Sequence, residues 1–415
     1  MRWLCRNVIL IWIFDIGSSF FFPKSLDGKR ILMNGPADTT PGLSTQFDGD
    51  GIVTSVVFKD NNITVSGLKI QKSRFRFPLK YFIERDYFKM FSKIFTAFLG
   101  GKSSIESGTC NTIILKHNDF YYATEETCRP AKLYYDEHNH ICFSHKSWSI
   151  PRMAAHMIDN TTIFSYNFPH KYPIKINNSY HIPWSTKRYP VLIHDAVKTE
   201  DEKYFIFPLT STGLGNVEKY MEKEVDLPLD SKLNKAGFII YDIKANKCSV
   251  ISLDEYVDIF HICRVEKLSD NVYKLYLPFI YKFLEFVSVD ANCLELIMKE
   301  VTINITNNSV LDIYDTNIRM DFVNEYEGYL IGSSLKDEDE PNAVFYDMKN
   351  KINHTLSIPG EVVREIIPYN GMLIYFSHEK NLTETFLYVV KMNNAEILTK
   401  IPVPNRPPGM HTTMY

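Results

Sequence analysis

The chain has 415 residues, enough for two average domains or one large β domain, and 45% of them are hydrophobic, so a sizeable core can form. Its net charge of -3 gives no electrostatic basis for a nucleic-acid partner. The 25 Tyr and 28 Phe favour strands and apolar cavities.

At the N-terminus, Arg2 and Arg6 precede the run Val8-Ile9-Leu10-Ile11-Trp12-Ile13-Phe14, with Ser18-Ser19 beyond it. A charged start and a short apolar run have the form of a secretory signal. Asp15 interrupts the run, which is too short to cross a bilayer. Residues 1–21 are read as a separate apolar segment, a signal or an anchor. Residues 22–415 show no composition shift that would divide them. Seven N-x-S/T sequons occur, at Asn62, Asn160, Asn177, Asn304, Asn307, Asn353 and Asn381, and an Asn-rich chain carries several by chance. The seven cysteines are scattered, with no CxxC, which reads as free thiols in a reducing compartment.

Residues 52–70 predict a hairpin, with Asp60-Asn61-Asn62 as its turn. The Phe47-Asp48-Gly49-Asp50-Gly51 before it is a tight turn. It resembles a phosphate loop only superficially, because no helix follows and no Lys-Ser/Thr completes it. Residues 86–99 predict an amphipathic helix. Tyr87, Phe91, Ile94 and Phe98 share one face with Phe88, Phe95 and Leu99 beside them, and Lys89, Ser92, Lys93 and Thr96 lie opposite. Such a helix caps a core or lies on a membrane surface.

An aromatic strand–turn–strand unit then recurs at Leu133-Tyr134-Tyr135-Asp136, Ile239-Ile240-Tyr241-Asp242, Val344-Phe345-Tyr346-Asp347 and Leu387-Tyr388-Val389-Val390. The last two units stand about one propeller blade apart, so the repeat predicts a β-propeller. It also explains His138, His140, Cys142 and His145, which look like a zinc cluster. His138 and His140 fall in a hairpin turn, and strand alternation separates the rest unevenly.

Residues 189–208 form a further hairpin signal, with His194 near the start of its inner strand and Asp195 beside it. Asp195 is read as capping the turn or facing solvent. A lone histidine there is usually a satisfied core residue. His156, His261 and His411 also follow apolar or small residues, 38, 67 and 150 residues apart along the order His156, His194, His261, His411. No local zinc motif has such gaps, but the inner strands of a propeller converge on one axis. Four neutral imidazoles suit Fe, Zn, Cu or Ni.

The four contexts read AHM, IHDA, FHICR and GMHT. They resemble, in order, the A-H-P, I-H-D-F, F-H-x-x-N and G-F-H-G settings of the carotenoid cleavage oxygenase family, which includes the retinoid isomerohydrolase. Asn34-Gly35-Pro36 resembles the family's R-N-G-P, residues 47–51 its F-D-G-D-G, residues 121–127 its Y-Y-A-x-T-E-T, and residues 402–409 its L-P-x-R-V-P-x-G. Each motif is weak alone; eight in order across residues 22–415 are specific. Phe91-Ser92-Lys93-Ile94-Phe95-Thr96-Ala97-Phe98 also resembles a membrane-contacting segment of the animal branch, although the P-D-P-C-K motif usual upstream is missing.

The resemblance implies an all-β, seven-bladed propeller with a helical and loop cap over an axial metal site. It implies Fe(II) on His156, His194, His261 and His411, with Glu126, Asp321 and Glu361 holding imidazoles from behind. The implied activity is oxidative cleavage, with dioxygen, of a conjugated double bond in a carotenoid or apocarotenoid, giving aldehydes such as retinal. A retinoid isomerohydrolase acting on retinyl esters and a non-catalytic binding propeller are the alternatives. The implied location is cytoplasmic and peripherally membrane-associated through Phe88, Phe91, Ile94, Phe95 and Phe98, with the secretory pathway via residues 1–21 as the alternative. Three departures bear on this. Asp321 replaces a glutamate and is a methylene shorter, so it is expected to reach its imidazole through water or not at all. Arg264 stands where the family has Asn. Thr412-Thr413 replaces the Gly after His411, near the end of the sequence, so His411 is expected to fray.

Overall fold

Runs of Val, Ile, Tyr and Phe alternate with short turns in which one residue, most often Asn, takes a left-handed backbone, and the flanking runs pair as antiparallel hairpins. The computed structural model describes residues 11–15, 21–36, 51–70, 88, 110, 112–117, 120–124, 130–144, 156, 162, 164–166, 174–176, 180–182, 193–215, 217–222, 229–281, 283, 295–334, 342–360, 362–378, 384–403 and 411–415. The predicted hairpin is Gly51–Lys59 with Asn62–Ile70, and its turn residues Asp60 and Asn61 have φ of 51° and 61°. Two residues with positive φ match the right-handed twist of the flanking strands.

The hairpins assemble into sheets in chain order. The first sheet holds Ile11–Asp15, Arg30–Pro36, Gly51–Lys59, Asn62–Ile70 and, from the far end of the chain, His411–Met414. The second runs from Ile114–His117 to Ile141–Phe143, and a three-stranded third spans Phe164–Tyr166, Ile174–Ile176 and Tyr180–Ile182. The fourth begins with Val197–Lys198, the fifth with Arg264–Ser269, the sixth with Asp321–Tyr326 and the seventh with Val362–Tyr369; each has four strands. The four repeated tyrosine units are the third strands of the second, fourth, sixth and seventh sheets.

Two pairs of neighbouring sheets show face-to-face packing. Ile206, Phe238 and Ile240 of the fourth meet Leu275, Leu277 and Val301 of the fifth. Ile374, Leu387 and Val389 of the seventh meet Val56, Phe58 and Val65 of the first. Each such buried side chain contributes about 1.5–3 kcal/mol. The first strands lie innermost. Val197–Lys198 sits against Arg264–Ser269, Asp321–Tyr326 against Val362–Tyr369, and Val362–Tyr369 against His411–Met414. This is the propeller arrangement that the repeat predicts.

The expected fraying of His411 is not found. His411–Met414 pairs with Arg30–Pro36, and His411 is buried. Tyr415 exchanges both backbone hydrogen bonds with Arg30 at 2.9 Å. Its hydroxyl donates to the Ile114 carbonyl at 3.0 Å and accepts from the Lys116 N–H at 3.1 Å. The terminal ring therefore ties the first sheet to the second. Tyr415→Ala is expected to cost about 1–3 kcal/mol and to speed amide exchange across His411–Met414. Thermal melting with residue-resolved exchange checks this, and unchanged exchange in that strand would remove the latch role.

Within the N-terminal segment, Ile11–Asp15 pairs with Asn62–Ile70 as the outermost strand of the first sheet. Among the described residues no helix is long and apolar enough to cross a membrane. Of the predicted helix at 86–99, only Phe88 lies within the described residues, and it is exposed.

Candidate metal centre

His194 lies three residues before the innermost strand of the fourth sheet, and His261 three before that of the fifth. His411 opens the closing strand of the first sheet. These inner positions converge, and His156 joins them. The four imidazoles each present one nitrogen, all within 4.8 Å of one another. The His156 and His194 Nε2 atoms are 3.2 Å apart. Two nitrogens at right angles on a metal with bonds of about 2.1 Å would stand roughly 3 Å apart.

His261 Nδ1 donates to Asp321 Oδ1 at 2.8 Å, which leaves its buried Nε2 without a partner. An orphaned ring nitrogen beside three other imidazoles fits a metal ligand, because a buried polar atom with no partner is costly. Among the described residues this is the only such cluster. Of the rival at 138–145, His145 lies outside the described residues, His140 Nδ1 is held by Asp136 in the turn, and His138 is exposed.

Asp321 thus reaches its histidine directly, against the doubt raised by its shorter side chain. The backbone supplies the missing methylene. The first strand of the sixth sheet bulges between Asp321 and Asn324, and Phe322 adopts φ of 53°. A bulge re-aims a side chain. Gly332 opposite makes room, since a Cβ there would stand 2.7 Å from the Asp321 carbonyl oxygen.

The carboxylate behind His411 is one that the motif reading missed. Glu365 Oε2 accepts from His411 Nδ1 at 3.1 Å and from the Thr412 N–H at 2.7 Å. It too occupies a bulge, between Val363 and Ile366. A signal was available: Arg364-Glu365 interrupts the apolar run Val362-Val363 and Ile366-Ile367. The expected Glu126 and Glu361 lie outside the described residues.

Asp195 neither faces solvent nor simply caps its turn. It is buried, accepts from the Ala196 N–H and from the Ile262 N–H, both at 2.8 Å, and so reaches the neighbouring ligand segment. Arg264 pairs with Glu325 and, at 3.6 Å, with Glu200. Apolar rings border the cluster. Phe260 lies 5.6 Å from His194 and 4.6 Å from Phe283, and Phe322 lies 5.0 Å from His411.

Electrostatics separates the imidazoles. Burial, then the three neighbouring rings, hold His156 well below its ordinary pKa. Burial also lowers His411, against the pull of Glu365. Burial acts in the same direction on His261, but the Asp321 carboxylate outweighs it and the pKa rises. At neutral pH the metal-free His261 therefore carries a proton on Nε2, and a metal must displace it. Metal affinity is expected to climb about tenfold per pH unit through neutrality and to flatten only above that raised value. In Asp321→Asn the slope should vanish above neutrality, with the limiting affinity down about 10–100-fold. Titration with Co(II) across the pH range checks both.

No protein-family model and no curated protein matches the chain. Solved structures do match in fold. A cobalt-substituted apocarotenoid oxygenase of Synechocystis matches with a TM-score of 0.69 at 16% identity, over 98% of this chain and 96% of that one. A lignostilbene dioxygenase of Pseudomonas brassicacearum matches with a TM-score of 0.69 at 14% identity, over 99% of this chain and 95% of that one. The resemblance read from the motifs is thereby borne out in the fold, which is the carotenoid oxygenase propeller.

Proposed function

We propose that the protein is an Fe(II)-dependent oxygenase of the carotenoid cleavage oxygenase family, cleaving a conjugated carbon–carbon double bond of a carotenoid or apocarotenoid into two carbonyl fragments such as retinal. The observation that carries this reading is the cluster of four imidazoles, with no carboxylate among the donors, in a fold shared with an apocarotenoid oxygenase and a lignostilbene dioxygenase. Iron, when bound, supplies the activation of dioxygen. The chain's own residues do the rest. Four histidines hold the metal without cancelling its charge. Asp321 and Glu365 accept the outward N–H of His261 and His411 and fix those rings. Phe260, Phe283 and Phe322 form an apolar border that favours a flat, conjugated substrate and keeps water out.

The three departures that left room for a non-catalytic propeller no longer favour it: Asp321 reaches, Arg264 pairs elsewhere, and His411 is held in a strand. A seven-bladed ring with a helical and loop cap, across residues 22–415, is part of this proposal, in keeping with the seven sheets of three to five strands that, among the described residues, follow one another along the chain beside one two-stranded pair. The net charge supports no nucleic-acid partner. The test is metal analysis of the purified protein, followed by aerobic incubation with β-carotene, apocarotenoids and hydroxystilbenes. One iron per chain with cleavage of a polyene is expected. Cleavage of stilbenes alone would move the substrate class, and absence of both iron and cleavage would refute the reading.

Such substrates reside in bilayers, and a cytoplasmic enzyme gains by docking there. Phe88, Phe91, Ile94, Phe95 and Phe98 provide the apolar face, worth on the order of 1.5–3 kcal/mol per fully buried side chain. Lys89 and Lys93 add roughly 1 kcal/mol each near anionic head groups. Liposome binding is expected to weaken sharply in the double variant Phe91→Asp/Phe95→Asp while the protein stays folded. Unchanged binding would move the contact, with residues 1–21 next to be tested.

A further inference from the structure

Two of the four imidazoles sit on backbone just outside the strands. Among the described residues no sheet pairing joins the two segments to each other: the His261 segment is tied to its own sheet, through Asp258 with Ile280 and Cys263 with Tyr276. Residues 193–196 and 259–263 each approach an innermost strand without belonging to one. His194 and His261 ride on these segments, from different sheets, with ring centroids 5.1 Å apart. Val197–Lys198 and Arg264–Ser269, the strands that follow the ligands, are in contact. Asp195 spans the gap between the two segments. Its Oδ1 accepts the Ala196 N–H of its own segment at 2.8 Å. Its Oδ2 accepts the Ile262 N–H, 67 residues away, also at 2.8 Å. Asp195 follows His194 directly, and Ile262 follows His261 directly. One carboxylate therefore joins the two segments, one residue from each ligand.

We propose that Asp195 is a positioning residue of the metal centre, which sets the separation of His194 and His261 by clamping their two backbone segments together. The inference rests on reading the four imidazoles as a metal site. Asp321 and Glu365 grip ligand rings, whereas Asp195 grips the backbone that carries them. Neighbouring sheets are bridged in the same way further round. Asn324 of the sixth sheet donates to the Ile366 carbonyl of the seventh at 2.9 Å. Glu365 of the seventh accepts from Thr412 of the first. The Asp195 bridge differs in that it is flanked by a ligand on both sides, so any slip in it moves two donors relative to each other. A buried side chain held by two short bonds to backbone N–H groups is rigid enough to do this.

The test uses the full chain, metal-free and reconstituted with Co(II), whose visible bands report ligand geometry. Asp195→Asn keeps the size but turns an NH2 toward one of the two N–H donors. It is expected to fold, to bind Co(II) about 10–100-fold more weakly, and to show altered visible bands. Glu300→Gln is the control. Glu300 is a buried carboxylate that accepts from the Tyr346 hydroxyl at 2.6 Å, bridging the fifth and sixth sheets away from the ligand segments. That variant should melt earlier yet keep the wild-type affinity and spectrum. If Asp195→Asn also lowers only the melting temperature, its role is structural and the proposal is overturned. If Asp195→Asn does not fold, amide exchange in the wild type decides. The Ile262 N–H should be as protected as a central-strand amide in metal-free protein, and free exchange there would overturn the clamp. Failure of the wild type itself to bind Co(II) would instead remove the metal reading.

Discussion

His194→Ala is expected to yield a folded protein that carries no iron and turns over no substrate. His194 is 9% exposed, and its Nε2 lies 3.2 Å from that of His156. The donor set offers nothing to replace it, because the cluster holds four imidazoles and no carboxylate. Losing one leaves a three-imidazole site, open to water and built for a fourth ligand. The fold should survive. The truncated side chain costs about 1–3 kcal/mol, the usual range for a buried deletion. The larger loss is linkage. A metal at a thousand times its Kd stabilises the native state by about 4 kcal/mol, and the variant forgoes this. Iron content by elemental analysis and melting with and without Fe(II) check it: the wild type should gain stability on adding metal and the variant should not. His138→Ala, in the exposed turn, should match the wild type. Full iron and activity in His194→Ala would remove the ligand assignment.

Glu365→Gln is expected to lower iron affinity by about 10–100-fold, the usual cost of a lost partner behind a ligand. Its Oε2 is shared by His411 Nδ1 and the Thr412 N–H, so the acceptor fixes both the ring and the strand that carries it. An amide there sets either its NH2 against those donors or its single oxygen between them. Asn324 Nδ2 approaches Oε1 at 3.4 Å, which favours keeping an oxygen on that side as well. Glu361→Gln provides the comparison, because the motif reading places the partner there. A drop in Glu365→Gln with little change in Glu361→Gln would support the structural assignment, and the reverse would restore the motif's.

Much of the ring was legible because its signal is local. The tyrosine units at 135, 241, 346 and 388 mark strand, turn and strand within a dozen residues, and all four became third strands. The four histidines were legible through their flanking motifs, and the structure brings them together. What escaped depends on bulges and on contacts remote in sequence. Period-two alternation gives no warning that Val362–Tyr369 slips register at Val363, which is what turns Glu365 onto His411. The reach of Asp321 depends on a bulge and on Gly332 across the ladder. Asp195 looked like a turn residue because its second partner, Ile262, is 67 positions away. Arg264 looked like a flaw in a ligand motif until its partners, Glu200 and Glu325, were placed on the neighbouring sheets.

The most direct test of the oxygenase reading is the fate of isotopically labelled dioxygen in a single-turnover incubation of iron-loaded protein with a polyene substrate, with the products trapped and weighed by mass spectrometry. The expected result is two carbonyl fragments that carry the label, in amounts that match the substrate lost, and no product when oxygen is withheld. Unlabelled products, or conversion of a retinyl ester that proceeds equally well without oxygen, would contradict oxidative cleavage and assign the four-histidine centre to isomerohydrolase chemistry.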